Sequence, residues 1–405
     1  MKRRTIQSNR KFQRMKQIYR SRQVFCERKR MRRKKLPASK AATAVKGILS
    51  LSLTIIFFLI AVPSGIALAG GADISGIGEE YFSRLQGEKE DDLQNIKTSG
   101  SWKSDKNKDI TIENVKIPKY VKVWRENKHK VEKVDLEEYV ACVTASEMPN
   151  TFHEEALKAQ SVAARTFAMS KIEKYQTKNP AAHPKTPVCD TTHCQVYKTQ
   201  KELKACHPSG WYESKDGWKK IEEACEETEG KLLYYDGELV MQPLFFSSSG
   251  GQTENSEDVF VSAVPYLVSV ESPYEENATH RNEKTKMTLS ELKKVLKKYF
   301  PEKEWGKITR ESIQVLSRTS GGRVSQMQIG DAIVKGTEVR NALGLRSTLF
   351  TVGFEGEGNA VKVVFTSSGN GHGVGMSQYG ADGMAKKGYT YQQILEHYYV
   401  GAQVF

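Results

Sequence analysis

The chain has 405 residues, of which 62 are Lys or Arg and 48 are Asp or Glu, for a net charge of +14 at pH 7. This excess is local, because residues 1–46 hold 18 Lys or Arg and a single acidic residue, Glu27. The rest of the chain is slightly acidic, with a net charge of −3. The composition therefore argues against a nucleic-acid-binding globular domain and marks residues 1–46 as a basic tail.

An uncharged segment follows the tail from Gly47 to Ala72. About 20 apolar residues suffice for a membrane-spanning helix, and basic residues on one side only predict a cytoplasmic N-terminus. We therefore expect a transmembrane anchor over residues 47–71 in the cell membrane, with the C-terminal part outside the cytoplasm. Two alternatives stay open: a buried core helix, and a signal peptide cleaved after Ala67-Leu68-Ala69, which would also export the domain.

Residues 72–108 are polar and poor in large apolar side chains, which predicts a stalk. A globular domain is expected over residues 109–405, either as one unit or as two lobes, 109–260 and 261–405. Its helices and strands follow one another without a regular strand–helix alternation. The predicted fold class is therefore α+β, in which a mixture of helices and strands forms a groove.

Capping patterns and apolar periodicity predict the individual elements. Asp135 and Thr151 each precede a Glu at the capping-box position, so helices should begin there. Alternating apolar residues and apolar runs predict strands. The predicted strands are 110–118, 120–124, 129–134, 231–235, 239–247, 313–318, 324–329 and 361–365, the further helices are 290–299 and 391–398, and a Gly-rich segment covers 369–380.

Glu147 falls at the C-terminal end of the first of these helices, just before Pro149. A helix C-terminus disfavours a carboxylate, and partial burial between two helices would disfavour it further. Both effects raise the pKa, and a protonated carboxyl is what general-acid cleavage of a glycosidic bond requires. The alternative is an ordinary solvated Glu at a helix end.

Lys158 and Arg165 lie seven residues apart on the next helix, so they share one face at a separation of about 10 Å. Their neighbours are mostly Ala and Val. Two cations on an apolar stripe are suited to holding the polar groups of a sugar. Alternatively, both side chains simply reach solvent.

Two Gly-rich segments supply further candidate ligands for a substrate. Glycine permits close approach of the backbone to a ligand, and the neighbouring polar side chains offer donors and acceptors. Either segment could instead be a plain turn. The candidate substrate-binding residues are Ser249, Gly250 and Gly251 in the first segment and His372, Ser377, Gln378 and Tyr379 in the second.

Four potential metal ligands, His183, Cys189, His193 and Cys194, lie within a Pro-rich stretch of twelve residues. This Cys₂His₂ set suits tetrahedral zinc, and with all four positions filled the site would be structural rather than catalytic. The alternative is a Cys189–Cys194 disulfide or free thiols.

Five blocks together resemble the stage II sporulation protein D family of membrane-anchored lytic transglycosylases from spore-forming bacteria. They occur in the family's order across most of residues 136–399. The blocks are LEEYVACVTASEMP (136–149), ALKAQSVAARTFA (156–168), SSSGGQTENSEDVF (247–260), PYLVSVESP (265–273) and GHGVGMSQYGADGMAKKGYTYQQILEHYY (371–399).

The resemblance implies cleavage of the bond between N-acetylmuramic acid and N-acetylglucosamine in denuded peptidoglycan strands, leaving a 1,6-anhydro end. It implies that Glu147 is the catalytic acid and base, and it places Lys158 and Arg165 near the active site and the 372–379 segment in the groove. The set of four potential zinc ligands is also similar to the one in clostridial members of the family. No cofactor is needed for the chemistry itself.

The same resemblance implies a role in engulfment during sporulation, at the mother-cell engulfing membrane. The implied partners are the glycan strands, the amidase stage II sporulation protein P and the membrane protein stage II sporulation protein M. The basic tail is expected to contact anionic lipid rather than nucleic acid. Two other functions stay open: a zinc-dependent cell-wall amidase or peptidase, and a non-catalytic glycan-binding scaffold.

Overall fold

The computed structural model describes residues 112, 115–177, 180, 182–183, 185–260 and 262–405. Within these ranges, no helix combines the length and apolar character that crossing a membrane requires. The predicted tail (1–46), anchor (47–71) and stalk (72–108) lie outside the described residues. Of the predicted strand 110–118, residues 112 and 115–118 are described, and they form no strand.

Helices and strands alternate irregularly along the described chain, which confirms the predicted mixture. The first half contains β1 (Tyr120–Arg125), β2 (Lys130–Asp135), α1 (Leu136–Glu147), α2 (Glu154–Thr177), β3 (Val188–Cys189), α3 (Gln200–Cys206), α4 (Trp218–Glu226), β4 (Leu233–Tyr235), β5 (Glu238–Leu239), β6 (Phe245–Phe246) and α5 (Ser256–Val259). The second half contains β7 (Glu283–Thr288), α6 (Leu289–Tyr299), β8 (Ile313–Arg318), β9 (Val324–Ile329), β10 (Ala332–Lys335), α7 (Gly336–Leu343), β11 (Phe350–Glu355), β12 (Lys362–Ser367), β13 (Met376–Ser377), α8 (Gln378–Lys386), α9 (Tyr391–Tyr398) and β14 (Ala402–Val404). Short 3₁₀ turns occupy Glu126–Lys128 and Gly358–Ala360.

The limits of α1 follow from its flanking residues. The side chain of Asp135 accepts hydrogen bonds from the backbone N–H groups of Glu137, at 3.1 Å, and Glu138, which confirms the predicted N-cap. At the other end, Pro149 disfavours a helical conformation in the residue before it, and Met148 is extended at φ −112° and ψ 143°. The helix therefore ends at Glu147.

The start of α2 differs from the prediction. The helix begins at Glu154 rather than at Thr151, and the ring Nδ1 of His153 accepts from the N–H of Glu155 at 3.3 Å. The backbone N–H of His153 in turn donates a hydrogen bond to a carboxylate oxygen of Asp382, at 2.8 Å. Long-range capping has therefore replaced the local capping box that the sequence suggested.

A first apolar cluster surrounds α2, which packs against α1, α4, α8 and α9. The buried face of α2 is rich in Ala, whose small side chain allows neighbouring helices to approach closely. Three small sheets border this cluster: β2–β1–β3, β14–β4–β5 and the parallel pair β13–β6. The cluster draws residues from 121–267 and from 374–402.

A second apolar cluster lies between these two stretches of chain, in residues 292–365. It is built from the sheets β10–β9–β8 and β11–β12–β7 with α6 and α7. Both sheets are antiparallel, and β7 pairs with β12 from Glu283 opposite Ser367 to Thr288 opposite Lys362. The second cluster is thus formed by a stretch of chain inserted between the two parts of the first.

Candidate active site

Glu147 is half-buried at the end of α1, where two polar groups contact its carboxylate. The backbone N–H of Val196 donates to its Oε1 at 2.7 Å, and the side chain of Gln378 is a second hydrogen-bond partner. Burial raises the pKa of Glu147 above the ordinary value of a Glu, although Val196, Gln378 and the positive charge of Lys198 each oppose the rise. The shift is in the direction that a general acid requires.

The Val196 amide is fixed by its neighbour in the chain, Gln195. The buried Gln195 side chain donates to the hydroxyl of Tyr139 at 3.0 Å and to the carbonyl of Ala164 at 3.2 Å. These two partners belong to α1 and α2. The segment that donates to Glu147 is therefore tied to both helices.

The four predicted metal ligands meet at one place, with one donor atom from each lying within 4.8 Å of the others. Nε2 of His183 lies 3.3 Å from Sγ of Cys194, and Nδ1 of His193 lies 3.5 Å from the same sulfur and 3.8 Å from Sγ of Cys189. Both cysteines are free thiols, so the alternative disulfide is not formed.

This donor set fits a tetrahedral zinc ion. Metal–ligand bonds of the usual length place neighbouring ligands about 3.3–3.8 Å apart, which matches these three distances. Nδ1 of His183 also lies 2.9 Å from the carbonyl of Thr186, an arrangement that leaves Nε2 as the metal-binding nitrogen. Hydrogen bonds from Cys194, His183 and His193 lower the pKa of the Cys189 thiol, so that its thiolate is favoured.

The two Gly-rich segments lie side by side. Ser248 and Asn370 exchange backbone hydrogen bonds at 3.1 and 2.8 Å, and β6 pairs in parallel with β13. The N–H of Tyr379 donates to the carbonyl of Ser247 at 3.0 Å. The segment predicted only as a Gly-rich stretch also starts a helix, α8, at Gln378.

Three of the predicted substrate-binding residues turn toward a carboxylate inside the protein, that of Glu275. Ser249 and Gly250 donate to it through their backbone N–H groups, and Ser249 and Ser377 donate through their hydroxyls. Both serines are fully buried. Their first role is therefore to organise the two segments.

The remaining groove candidates have different surroundings. The half-buried ring of His372 packs near Phe246 and Phe260, with ring centroids 5.5 and 5.8 Å away. Tyr379 packs edge-on against Phe152 at 5.0 Å, in the connection between α1 and α2. Gly251 is exposed and adopts a φ of +122°, a conformation that suits glycine.

Lys158 and Arg165 are held by ion pairs. The Lys158 ammonium lies 2.7 Å from Glu155 and 2.6 Å from Glu227, and these pairs raise its pKa against the effect of burial. The Arg165 side chain is 0% exposed and makes two hydrogen bonds to Glu137, at 2.8 and 2.5 Å. In this arrangement the Arg165 guanidinium cannot contact a substrate in a groove, because burial and the paired carboxylate separate it from solvent.

Sequence reasoning missed four residues around this site: Gln160, Val196, Lys198 and Glu275. Val196 acts through its backbone, which residue type does not reveal, and Gln160 contacts Gln378 at 3.3 Å only after the chain has folded. Glu275 gave one usable signal. It lies two residues after the block 265–273, which is one of the blocks that carry the family resemblance.

Comparison with known proteins adds to this geometry. A family model described as "Stage II sporulation protein" matches residues 125–235, which include α1, α2 and the four metal ligands. A second model, described only as a domain of unknown function, matches residues 263–375, which include the second apolar cluster.

Curated relatives cover a larger part of the chain. Stage II sporulation protein D of Bacillus subtilis is 41% identical over 290 residues, which are 71% of this chain and 79% of that protein. The protein of the same name from Bacillus amyloliquefaciens is 38% identical over the same shares. A B. subtilis protein named amidase enhancer is 30% identical over 64% of this chain and 39% of its own length. The chain therefore belongs to the stage II sporulation protein D family.

Proposed function

We propose that this sporulation-family protein is a lytic transglycosylase that cleaves the bond between N-acetylmuramic acid and N-acetylglucosamine in peptidoglycan strands. The observation that carries the proposal is the environment of Glu147, where burial at a helix end raises the pKa of a carboxyl. The Val196 N–H and the Gln378 side chain hold this carboxyl in one orientation.

One carboxyl suffices for the reaction. Protonated Glu147 donates its proton to the glycosidic oxygen as the bond from that oxygen to C1 breaks. The ionised carboxylate then accepts the proton of the muramic acid C6 hydroxyl, whose oxygen bonds to C1. No water is consumed, so the product has a 1,6-anhydro end, and the second carboxylate of ordinary glycosidases is not needed.

The groove beside Glu147 is assigned to the segment that contains His372, Gln378 and Tyr379. Gln378 contacts Glu147, and Tyr379 packs against Phe152 in the connection between α1 and α2. Sugar rings bind well to an aromatic face flanked by amide donors and acceptors. Because Lys158 and Arg165 are occupied by carboxylates, we leave them out of the substrate contacts.

A zinc ion held by His183, Cys189, His193 and Cys194 would be structural. With all four ligands supplied by protein, it would stabilise the segment that leads to Val196 and would take no part in bond cleavage. The chemistry needs no other cofactor. This assignment disfavours a zinc amidase, because an amidase keeps a metal position open for water.

Family membership and the sequence support a proposal for the cellular setting. We propose a membrane-anchored protein whose domain acts outside the cytoplasm, at the mother-cell membrane during engulfment. Denuded strands would be supplied by the amidase stage II sporulation protein P, with protein M as a membrane partner.

The decisive test is the product of glycan cleavage. Purified protein should convert denuded strands to fragments with anhydro ends, which mass spectrometry distinguishes from hydrated ends by the mass of one water. Glu147→Gln should lower the rate by about 10²–10⁴-fold, because it removes the general acid. The matched control is Glu138→Gln, an exposed carboxyl on the same helix. Hydrated products, or an active Glu147→Gln, would refute the mechanism.

A second candidate is a glycan-binding scaffold that assists another enzyme. The similarity to a protein named amidase enhancer favours it. In that case the wild-type protein and Glu147→Gln should both bind strands, and neither should release anhydro ends.

A further inference from the structure

Glu275 is a buried carboxylate on which three separate segments converge. Its Oε1 accepts from the hydroxyls of Ser249, Ser272 and Ser377 at 2.8, 2.8 and 2.5 Å. Its Oε2 accepts from the N–H groups of Ser249 and Gly250, each at 3.0 Å. Every one of these contacts requires an acceptor, and an ionised carboxylate is the side chain that offers only acceptors.

One of the three segments begins α8. The Ser377 hydroxyl, which donates to Glu275, also accepts from the N–H of Gly380 at 3.1 Å and so caps the helix. Gln378, the first residue of the helix, follows Ser377 directly. The position of the Gln378 side chain therefore depends on where Glu275 holds the cap.

A second contact, between Ser272 and Tyr398, fixes the position of the first turn of α8. The Ser272 hydroxyl contacts the hydroxyl of Tyr398 at 2.7 Å, and a Cβ at Gly380 would overlap both of these groups. Only glycine lets the first turn of α8 lie this close to the pair. Glu275 accordingly orients both the cap of α8 and the surface against which α8 rests.

We propose that Glu275 is a positioning residue that holds Gln378 against Glu147, and thereby sets the orientation of the carboxyl that performs the reaction. The proposal rests on the function proposed above, but it concerns the arrangement of the free protein and can be tested without substrate. Gln378 contacts both Glu147 and Gln160, so a displaced helix start would change the polar surroundings of Glu147 directly.

The test is Glu275→Gln in the full chain, with the titration of Glu147 followed by NMR of carboxyl-labelled protein. Glu147→Gln identifies its signal. An amide has one acceptor and would present its NH₂ group to N–H donors. Because the Gln378 hydrogen bond lowers the pKa of Glu147, losing it should move the midpoint to higher pH. We expect kcat to fall by about 10²-fold, as for other displacements near 1 Å at an active site.

Two further variants keep the test decisive. Ser377→Ala removes one donor and should move the midpoint in the same direction by less, even if Glu275→Gln does not fold. Glu291→Gln is the control, because that carboxyl caps α6 in the second apolar cluster. It should lower the melting temperature without moving the midpoint.

The outcomes separate this proposal from the proposed function. An unchanged Glu147 midpoint in folded Glu275→Gln or Ser377→Ala overturns the positioning role, and so does a loss of kcat accompanied only by a lower melting temperature. If the wild type releases no anhydro ends but the midpoint still moves, the positioning role stands and the proposed reaction fails.

Discussion

The titration of Glu147 links the proposed chemistry to folding stability. Because its pKa is raised in the folded chain, the folded state favours the protonated form. The stability that Glu147 contributes is therefore fully present below the pKa of the unfolded chain and is lost as pH rises through the folded pKa. The pH dependence of the free energy of unfolding should therefore report the ionisation of Glu147.

We expect Glu147→Gln to melt at a higher temperature than the wild type at pH 7. Glutamine resembles the protonated carboxyl and cannot ionise, so the cost of burying a charge disappears. Near pH 4 the difference should shrink, because the wild type is then protonated too. Thermal unfolding at the two pH values measures the effect, and a more stable wild type at pH 7 would contradict it.

The two cations predicted to bind substrate should instead differ in their effect on stability. Arg165→Ala leaves a carboxylate without its buried partner and should lower the free energy of unfolding by about 3 kcal/mol. Lys158→Ala removes more exposed pairs and should cost about 1 kcal/mol or less. Urea unfolding of both variants provides the comparison. If both variants lost the same small free energy of unfolding, the burial of the Arg165–Glu137 pair would contribute nothing to stability.

At the scale of single residues, the sequence predicts those features that depend on neighbouring residues in the chain. The position of Glu147 at a helix end follows from Pro149, and the four candidate metal ligands follow from their residue types. The Gln378–Glu147 contact depends on tertiary packing between distant segments, which no local pattern encodes. Arg165 is misleading for the same reason, because its partner Glu137 comes from another helix.

At the scale of elements, periodicity was informative where a strand or helix has one buried face. The strands Ile313–Arg318 and Val324–Ile329 and the helix Tyr391–Tyr398 have the predicted limits. In contrast, α8 contains two glycines that lower helix propensity, and its stability comes from packing and from the Ser377 cap.

The metal-binding segment should act on the active site through its connection to Val196. Only Gln195 separates Cys194 from this amide, so Cys189→Ser should lower zinc content, melting temperature and cleavage rate together. The control is Cys206→Ser, at an exposed position outside the cluster. Metal analysis and thermal unfolding provide the readout. A Cys189→Ser protein with full rate and stability would exclude a structural metal.

At the scale of the whole molecule, a buried ion pair joins the two apolar clusters. Arg323, 1% exposed, lies 3.3 Å from Glu254, which is 0% exposed. Arg323 also donates to the carbonyl of Ser249 at 2.8 Å and to Ser347 at 2.9 Å. The inserted cluster thereby contacts the same segment that Glu275 organises.

Arg323→Ala should lower the free energy of unfolding by about 3–5 kcal/mol, because it leaves Glu254 buried and unpaired. It should also separate unfolding into two steps, one for each cluster. Calorimetry resolves the steps, and Arg318→Ala, at an exposed position on β8, serves as the control. A single transition at the wild-type temperature would show that the pair does not couple the clusters.

The pairing of Glu283 with Ser367 has a consequence for how this architecture can vary. The chain enters and leaves the inserted cluster on adjacent strands, about 5 Å apart. A two-residue turn could bridge such a gap, so descendants of the fold could lose or exchange the whole insertion without disturbing the chain path around α2. Any such shortened form would have to neutralise Glu254 at the same time, so changes at that position should accompany loss of the insertion.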